Sequence, residues 1–473
     1  MSERGAMACT VLLLLAASTS GVFPASPCPA TKPTKARFRT VAWVNTTCRT
    51  DANGLVGHQE LYVQRGDRTP VIVSQRATGP APDPGLCRLY GTLRNGPQSV
   101  LAGTYTRLAV SPDGTRVAFE LNDTFSILDS ERLLDDQKGL YLARADGSDV
   151  VRLAPATAVS VFQLVPSGVD FGNNLRFSPD GRHLVYTDLG PATDGTIENQ
   201  LWSLRIADGR RLQLTRLAGL PDTNETRRLE YAFDFSDPTT IVFYTFDFAR
   251  NVDAPRQEFY SVSIDGKKLR KLSPILGPGG QVIAQFAVTG RRPAVQGLFV
   301  DGTAENPMLT IRRPRELFVA FGGNVLQLTH FNRVDVGNLP SAVSRNGERV
   351  FFSASADPFG CNPTHNCQVF SIDTLGRRLR QLTGFVEGDR SEDGCFFTAL
   401  SGCPVTIVAQ DRATGTLIVD SSCDPLGTNP SANQLFALHP DGSGLRQITH
   451  ARGVVTDTPD VVEVELPGPF AYQ

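Results

Sequence analysis

A unit of two β-hairpins recurs six times along this chain, and no other feature limits its fold as tightly. The first hairpin reads LAVSPDGTRVAF at 108–119, LRFSPDGRHLVY at 175–186, FDFSDPTTIVFY at 233–244 and SAVSRNGERVFF at 341–352, with weaker copies at 285–300 and 406–419. The second reads LYLARADGSDVVRL at 140–153, LWSLRIADGRRLQL at 201–214 and FYSVSIDGKKLRKL at 259–272, and continues at 317–328, 369–382 and 435–448. Asp-Gly, Asn-Gly or Gly-Gly between alternating apolar residues supplies the positive φ of a tight hairpin, and Pro before Asp-Gly presets turn entry. The aromatics Tyr141, Trp202, Tyr260, Phe318, Phe370 and Phe436 mark the repeat, which returns roughly every 50 to 65 residues. A lone four-stranded sheet leaves both faces wet, whereas a ring of such sheets buries both. The pattern therefore predicts an all-β propeller of four-stranded blades. Independent sandwiches would explain neither the period nor the alternation.

The Ser-Pro-Asp-Gly turn with its aliphatic-aromatic strand, followed by the Leu-Tyr…Asp-Gly…Leu-Thr hairpin, resembles the WD40-like (PD40) repeat of TolB-type β-propellers. The resemblance spans about 108–449 and departs from the motif at 285–300, where no Ser-Pro-Asp-Gly survives. It implies a propeller of the cell envelope that binds protein or peptide without catalysis. The helical domain that precedes the propeller in TolB has no counterpart in the pattern, because 22–60 reads as Pro-rich and irregular. An outer hairpin at 61–73 lacks an inner pair before it, and the tail at 461–470 is a strand without an outer hairpin. Together they predict a seventh blade shared by the two termini. The domain reading is a leader at 1–21, a Pro-rich segment at 22–57 and a propeller at 58–473.

The leader follows from VLLLLAA at 11–17, preceded by Arg4 and followed by small residues. This is the order of a secretory signal, and the run is too short to span a bilayer. Export to periplasm or medium suits the cysteines. Outside the leader, Cys28, Cys48, Cys87, Cys361, Cys367, Cys395, Cys403 and Cys423 form an even set in two groups, which reads as a disulfide framework. The spacing CNPTHNC points to a local Cys361–Cys367 bridge in preference to a metal site with His365. The odd remainder in each group then predicts a bridge between the two ends of the chain. No metal and no cofactor is expected.

Net charge is −2 without a basic block, and only six of the 46 basic residues are lysine. This excludes a nucleic-acid partner, and no segment is long enough for a membrane span; a monomer is expected. Turns within hairpins are short, whereas connections between hairpins are long, which places binding on the long-connection face. Asp123, Asp188, Asp247, Asp301, Asp357 and Asp424 each follow an inner hairpin, and a ring of them would attract a basic segment. The competing reading makes each a turn or capping residue. Phe125, Leu128, Leu133 and Leu134 interleave with acids in a segment suited to a short amphipathic helix that covers the channel, with partner docking as the alternative. No Gly-x-Ser-x-Gly or His-Glu-x-x-His occurs. The function expected is thus a non-enzymatic binding scaffold. The alternative is a lyase or hydrolase acting on a carbohydrate or lactone in the axial channel.

Overall fold

The computed structural model describes residues 28–29, 35–51, 54–75, 79–80, 105–121, 138–156, 175–218, 229–247, 256–272, 283–285, 295–301, 316–321, 324–331, 338–344, 346–386, 405–411, 414–421, 423–428, 434–450, 453–458 and 461–472. The leader, Asp123, the apolar-acidic stretch at 125–136, Cys87, Cys395 and Cys403 lie outside the described residues. Six four-stranded antiparallel sheets form a six-bladed propeller at 105–154, 175–213, 229–271, 283–327, 338–381 and 406–447. Strands follow chain order within every blade. The first strands of neighbouring blades, such as Tyr105–Val110 and Leu175–Phe177, approach one another, which turns that edge toward the centre of the ring.

The turn chemistry read from the sequence is present in atomic detail. Ser111 Oγ donates to Asp113 Oδ1 at 2.6 Å, the same oxygen accepts the Thr115 N–H at 3.0 Å, and Gly114 has φ +68°. Ser178, Asp180 and Gly181 repeat the arrangement, as do Ser344, Asn346 and Gly347. A Cβ on Gly114 would stand 2.7 Å from Thr40 Oγ1. Glycine is therefore required there for packing as well as for φ. The fourth blade lacks the motif, and its first strand is as short as Leu175–Phe177 of the second blade, which has it. Ile283–Gln285 is only three residues long, yet it pairs with Val295–Asp301.

Between blades the core is aliphatic, with stacked aromatics bridging the second and third strands. Phe119–Tyr141, Phe243–Tyr260 and Phe352–Phe370 are cross-strand pairs with ring centroids 5.5, 5.3 and 5.7 Å apart. Directly opposed aromatics of this kind favour the antiparallel pairing that places them.

A further sheet joins the two ends of the chain, with Val461–Tyr472 from the C-terminal end pairing with Thr40–Asp51. Its order runs from Gly453–Thr458 through Val461–Tyr472, Thr40–Asp51 and Gly54–Arg65 to Val71–Gln75. Ala42, Val44, Leu61 and Val63 pack on Leu108, Val117 and Phe119 of the first blade. Val41 and Trp43 pack on Ile418, Leu435 and Ala437 of the sixth. Trp43 stacks on Tyr62 at 5.6 Å, as the blade aromatics do. Thr40–Asp51 lies where the sequence reads as irregular chain. Its alternation of Val41 and Trp43 with Ala42 and Val44 buries both faces, which hides the usual polar-out signal.

The local bridge expected between Cys361 and Cys367 does not form. Cys361 is bonded to Cys28, 333 residues away, with Cα atoms 5.9 Å apart, and Cys367 and Cys423 are disulfide-bonded elsewhere. Hydrogen bonds, not a disulfide, shape the short loop, which frees Cys361 to hold the other end of the chain. Pro29 packs beside Gly384 of the fifth blade. Further along, the Ala36 N–H donates to the Gly444 carbonyl at 2.7 Å and the Arg39 N–H to Asp411 Oδ2 at 2.6 Å, both on the sixth blade. The N-terminal segment thus touches the fifth blade, then the sixth, before it enters the terminal sheet.

Candidate binding face

The long connections leave the blades where second strands end and third strands begin, and a repeated buried lock fixes those roots. In the second blade the Leu201 N–H donates to Thr215 Oγ1 at 2.9 Å, and that hydroxyl donates to Gln200 Oε1 at 2.8 Å. The same pair is Glu316–Thr329, Gln368–Thr383 and Gln434–Thr449 in the fourth, fifth and sixth blades. Each threonine ends a Gln-Leu-Thr or Gln-Ile-Thr run. The preceding glutamine (Gln213, Gln327, Gln381, Gln447) donates Nε2 to the threonine carbonyl at 2.7 to 2.8 Å. The threonine marks the point where the chain leaves for the next blade. The lock thus joins the end of one connection to the start of the next. Gln-[Leu/Ile]-Thr was visible in the sequence, but its partner, a Gln or Glu near the start of the third strand, becomes meaningful only once the two strands pair.

A charged cluster lies between the first and second blades at this end. Arg107 and Glu120 are both buried, with Arg107 Nε 3.4 Å from Glu120 Oε2, and Arg107 Nη1 donates to the Thr187 carbonyl at 2.7 Å. The ion pair itself lies within the first blade, between directly paired residues, and the Arg107–Thr187 bond ties it to the second. Beside it, Arg211 donates Nε to the Tyr186 hydroxyl at 2.7 Å and Nη2 to Asp188 at 2.5 Å. The Arg211 guanidinium lies 4.9 Å from the Trp202 ring centroid. Burial pushes the Tyr186 phenol up to about 12; the Asp188 charge adds to the rise, while Arg211 and Arg107 oppose it.

The six aspartates singled out by the sequence do not share one environment. Asp188 is nearly buried and held by Arg211, and its own backbone carbonyl accepts Trp202 Nε1 at 3.1 Å. Asp357 accepts the Asn362 N–H at 2.8 Å, and Asp424 accepts the Thr428 N–H at 2.6 Å, so both close turns. Asp247 and Asp301 end the second strands of the third and fourth blades, paired with Arg256 and Glu316. The structure therefore spreads the described members over separate blades, three of them engaged in local hydrogen bonds.

The connection at 355–367 in the fifth blade is described throughout and is built as a fixed shape. Asn362 Nδ2 donates to the Ala356 and Asn366 carbonyls at 3.2 and 2.8 Å, and Asn366 Nδ2 to the Phe385 carbonyl at 3.1 Å. His365, at φ +50°, sets Nδ1 3.1 Å from the Ser355 carbonyl. A carbonyl only accepts, so Nδ1 carries the proton there. Among the described residues no three His, Cys, Asp or Glu side chains gather into a metal-binding group, and no helix is long and apolar enough to cross a membrane.

Apolar side chains project from the same end of the ring. The hairpin of His183–Pro191 and Ile197–Arg205 carries Leu189 and Ile197, 49% and 56% exposed. Leu426 in the sixth-blade connection and Val386 after the outer strand of the fifth are exposed as well. The opposite face consists of hairpin turns closed by their own aspartates, and Val150, Leu269 and Leu375 are exposed in them. Asp208 is held down to about 2 by the Arg205 guanidinium and the Arg210 N–H. Asp265 is held down to about 2 by the Ser263 hydroxyl and Lys267.

No protein-family model and no curated protein matches the chain. Solved structures similar to it include the acylaminoacyl peptidase of Pyrococcus horikoshii, at 12% identity and TM-score 0.47, covering 89% of this chain and 52% of that one. The chain thus spans about half the length of that peptidase. The β-propeller domain of the Trilobed protease from Pyrococcus furiosus matches at 11% identity and TM-score 0.46, covering 91% and 98% of the two chains. A structure described as TolB from Agrobacterium tumefaciens matches at 12% identity and TM-score 0.33, covering 92% and 99%.

Proposed function

We propose that this chain is an exported TolB-like propeller that works without catalysis, binding a protein or peptide of the cell envelope on its long-connection face. The observation that carries the reading is the asymmetry of the ring. Both faces expose apolar side chains, among them Val150, Leu269 and Leu375 on the turn face, but only one combines them with long connections on locked roots, where Leu189, Ile197, Val386 and Leu426 stand. Exposed apolar side chains on a rigid base are what a partner surface needs, because little ordering cost remains to be met on binding. Asp123, Asp188, Asp247, Asp301, Asp357 and Asp424 belong to this face as candidate contacts. The sheet joining both termini serves in this reading as the seventh blade, with Val461–Tyr472 in the place of an inner strand. Its contacts with the first strands of the first and sixth blades support that role.

Affinity capture from envelope extract tests the function. The full chain is compared with a variant carrying Leu189→Asp and Ile197→Asp and a short Gly-Ser turn in place of 124–137. A partner retained by the first and lost by the second, at unchanged melting temperature, is the expected result. Equal retention by both removes the long-connection face from consideration.

A further inference from the structure

A groove of about 1250 Å³ runs along the seam between the sixth blade and the terminal sheet. One wall is the outer strand Arg446–Gln447, and the other is the turn at 66–70 between Gly54–Arg65 and Val71–Gln75. Lys35, Arg37 and Arg68 line it with exposed side chains, and Arg446 lies at its base. Asp67 is the only carboxylate among the described lining residues, and Arg446 takes it in a charge-assisted hydrogen bond. Arg446 is further fixed by the Gly66 carbonyl at 3.2 Å and by the Phe38 ring 4.4 Å beneath it, while its buried Nε has no hydrogen-bond partner. Four full cations thus face one carboxylate on a chain whose net charge is −2. Such a concentration in a concave site focuses potential toward an anion. Pro70 and Leu426 add apolar wall, and Thr69 and Thr414 add hydroxyls.

We propose that this groove binds an extended acidic peptide segment, with its carboxylates on Lys35, Arg37 and Arg68 and its apolar side chains against Pro70 and Leu426. Guanidinium forks suit carboxylates in bidentate geometry. Nucleic-acid bases stack best on Phe, Tyr and Trp platforms, and none of these occurs among the described lining residues, whose only rings are the imidazoles of His439 and His450. A single small anion would fill only a fraction of the volume. The groove runs along the outer edge of the ring and shares only Leu426 with the residues named for the long-connection face, while its cations Lys35, Arg37 and Arg68 lie outside that face.

Fluorescence anisotropy with labelled poly-L-glutamate and the full chain is the test, with heparin and an oligothymidylate of matched charge as comparators. Poly-L-glutamate binding should weaken about tenfold or more in the Arg37→Glu, Arg68→Glu double variant, as expected when two charge contacts reverse sign. It should also weaken as ionic strength rises from about 0.01 M to about 0.15 M, where the screening length falls from roughly 30 to roughly 8 Å. An unchanged melting temperature for the variant shows that its fold is retained. Because Arg446 is left in place, the seam contact survives the substitution. Undiminished binding by the variant overturns the proposal. Equal affinity for all three polyanions overturns it too, since an unspecific field would then suffice.

Discussion

Removing the bond between Cys28 and Cys361 should loosen the N-terminal segment without dismantling the ring. The bond closes a loop with a sequence separation of 333. The chain-entropy relation for cross-links then gives about 19 cal/mol/K, or about 6 kcal/mol at 25 °C, as an upper figure. The native contacts that survive reduce what is observed. Ala36 remains bonded to Gly444 and Arg39 to Asp411, while Thr40–Asp51 stays paired on both sides. The expected loss is therefore in the usual range of about 2 to 4 kcal/mol. With an unfolding entropy of roughly 0.9 kcal/mol/K for a chain of this size, that is a fall of roughly 2 to 5 °C in melting temperature. The perturbation is the Cys28→Ser, Cys361→Ser double variant, because a reductant would also open the bonds at Cys367 and Cys423. Calorimetry reads the midpoint, and limited proteolysis reads whether cleavage before residue 40 accelerates. A variant that melts with the parent and resists protease equally would refute the argument, since the bond would then constrain neither state.

Four further outcomes follow from the geometry. Thr383→Val leaves Gln368 Oε1 and the Val369 N–H without their buried hydroxyl, and should cost about 1 to 3 kcal/mol by denaturant titration. Glu316→Gln should shift the same midpoint by no more than about 0.5 kcal/mol, because glutamine already fills that place opposite Thr215, Thr383 and Thr449. Asp208 and Asp265 are held down to about 2, so their stabilising effect is complete above the unfolded carboxylate value of about 3.9 and is lost as pH falls toward 2. A midpoint that falls with acid less steeply in the Asp208→Asn, Asp265→Asn variant than in the parent would show this. The Tyr186 phenol, pushed up to about 12, contributes stability below pH about 10 that is lost as pH rises through about 12; alkaline difference spectroscopy should show one late-titrating tyrosine that disappears in Tyr186→Phe.

The propeller was legible because its determinants are local. Alternation, Asp-Gly turns and aromatic positions such as Tyr141, Tyr260 and Phe370 lie within a few residues of what they control. Cys361 was misread for the complementary reason. Its nearest cysteine in sequence is Cys367, whereas its partner is set by the path of a segment from the other end of the chain. Arg107 and Glu120 gave no signal as a buried pair, because alternation assigns a strand face but does not reveal that a neighbouring blade seals it. Asp188 was found by its place in the repeat, yet its engagement depends on Arg211, which enters through a different strand of the same blade.

Pairing Thr40–Asp51 with Val461–Tyr472 imposes an order of events on synthesis. Thr40–Asp51 is made first, and the partner that covers its edge, Val461–Tyr472, follows only after the six blades between them. Until then the sheet presents unpaired backbone groups to any other strand nearby. Pairings so distant in sequence also close slowly, because the entropy of the intervening chain must be overcome first. The nascent protein therefore passes through an open, adhesive stage in which a chaperone is most needed. Deletion of Val461–Tyr472 should prolong that stage indefinitely.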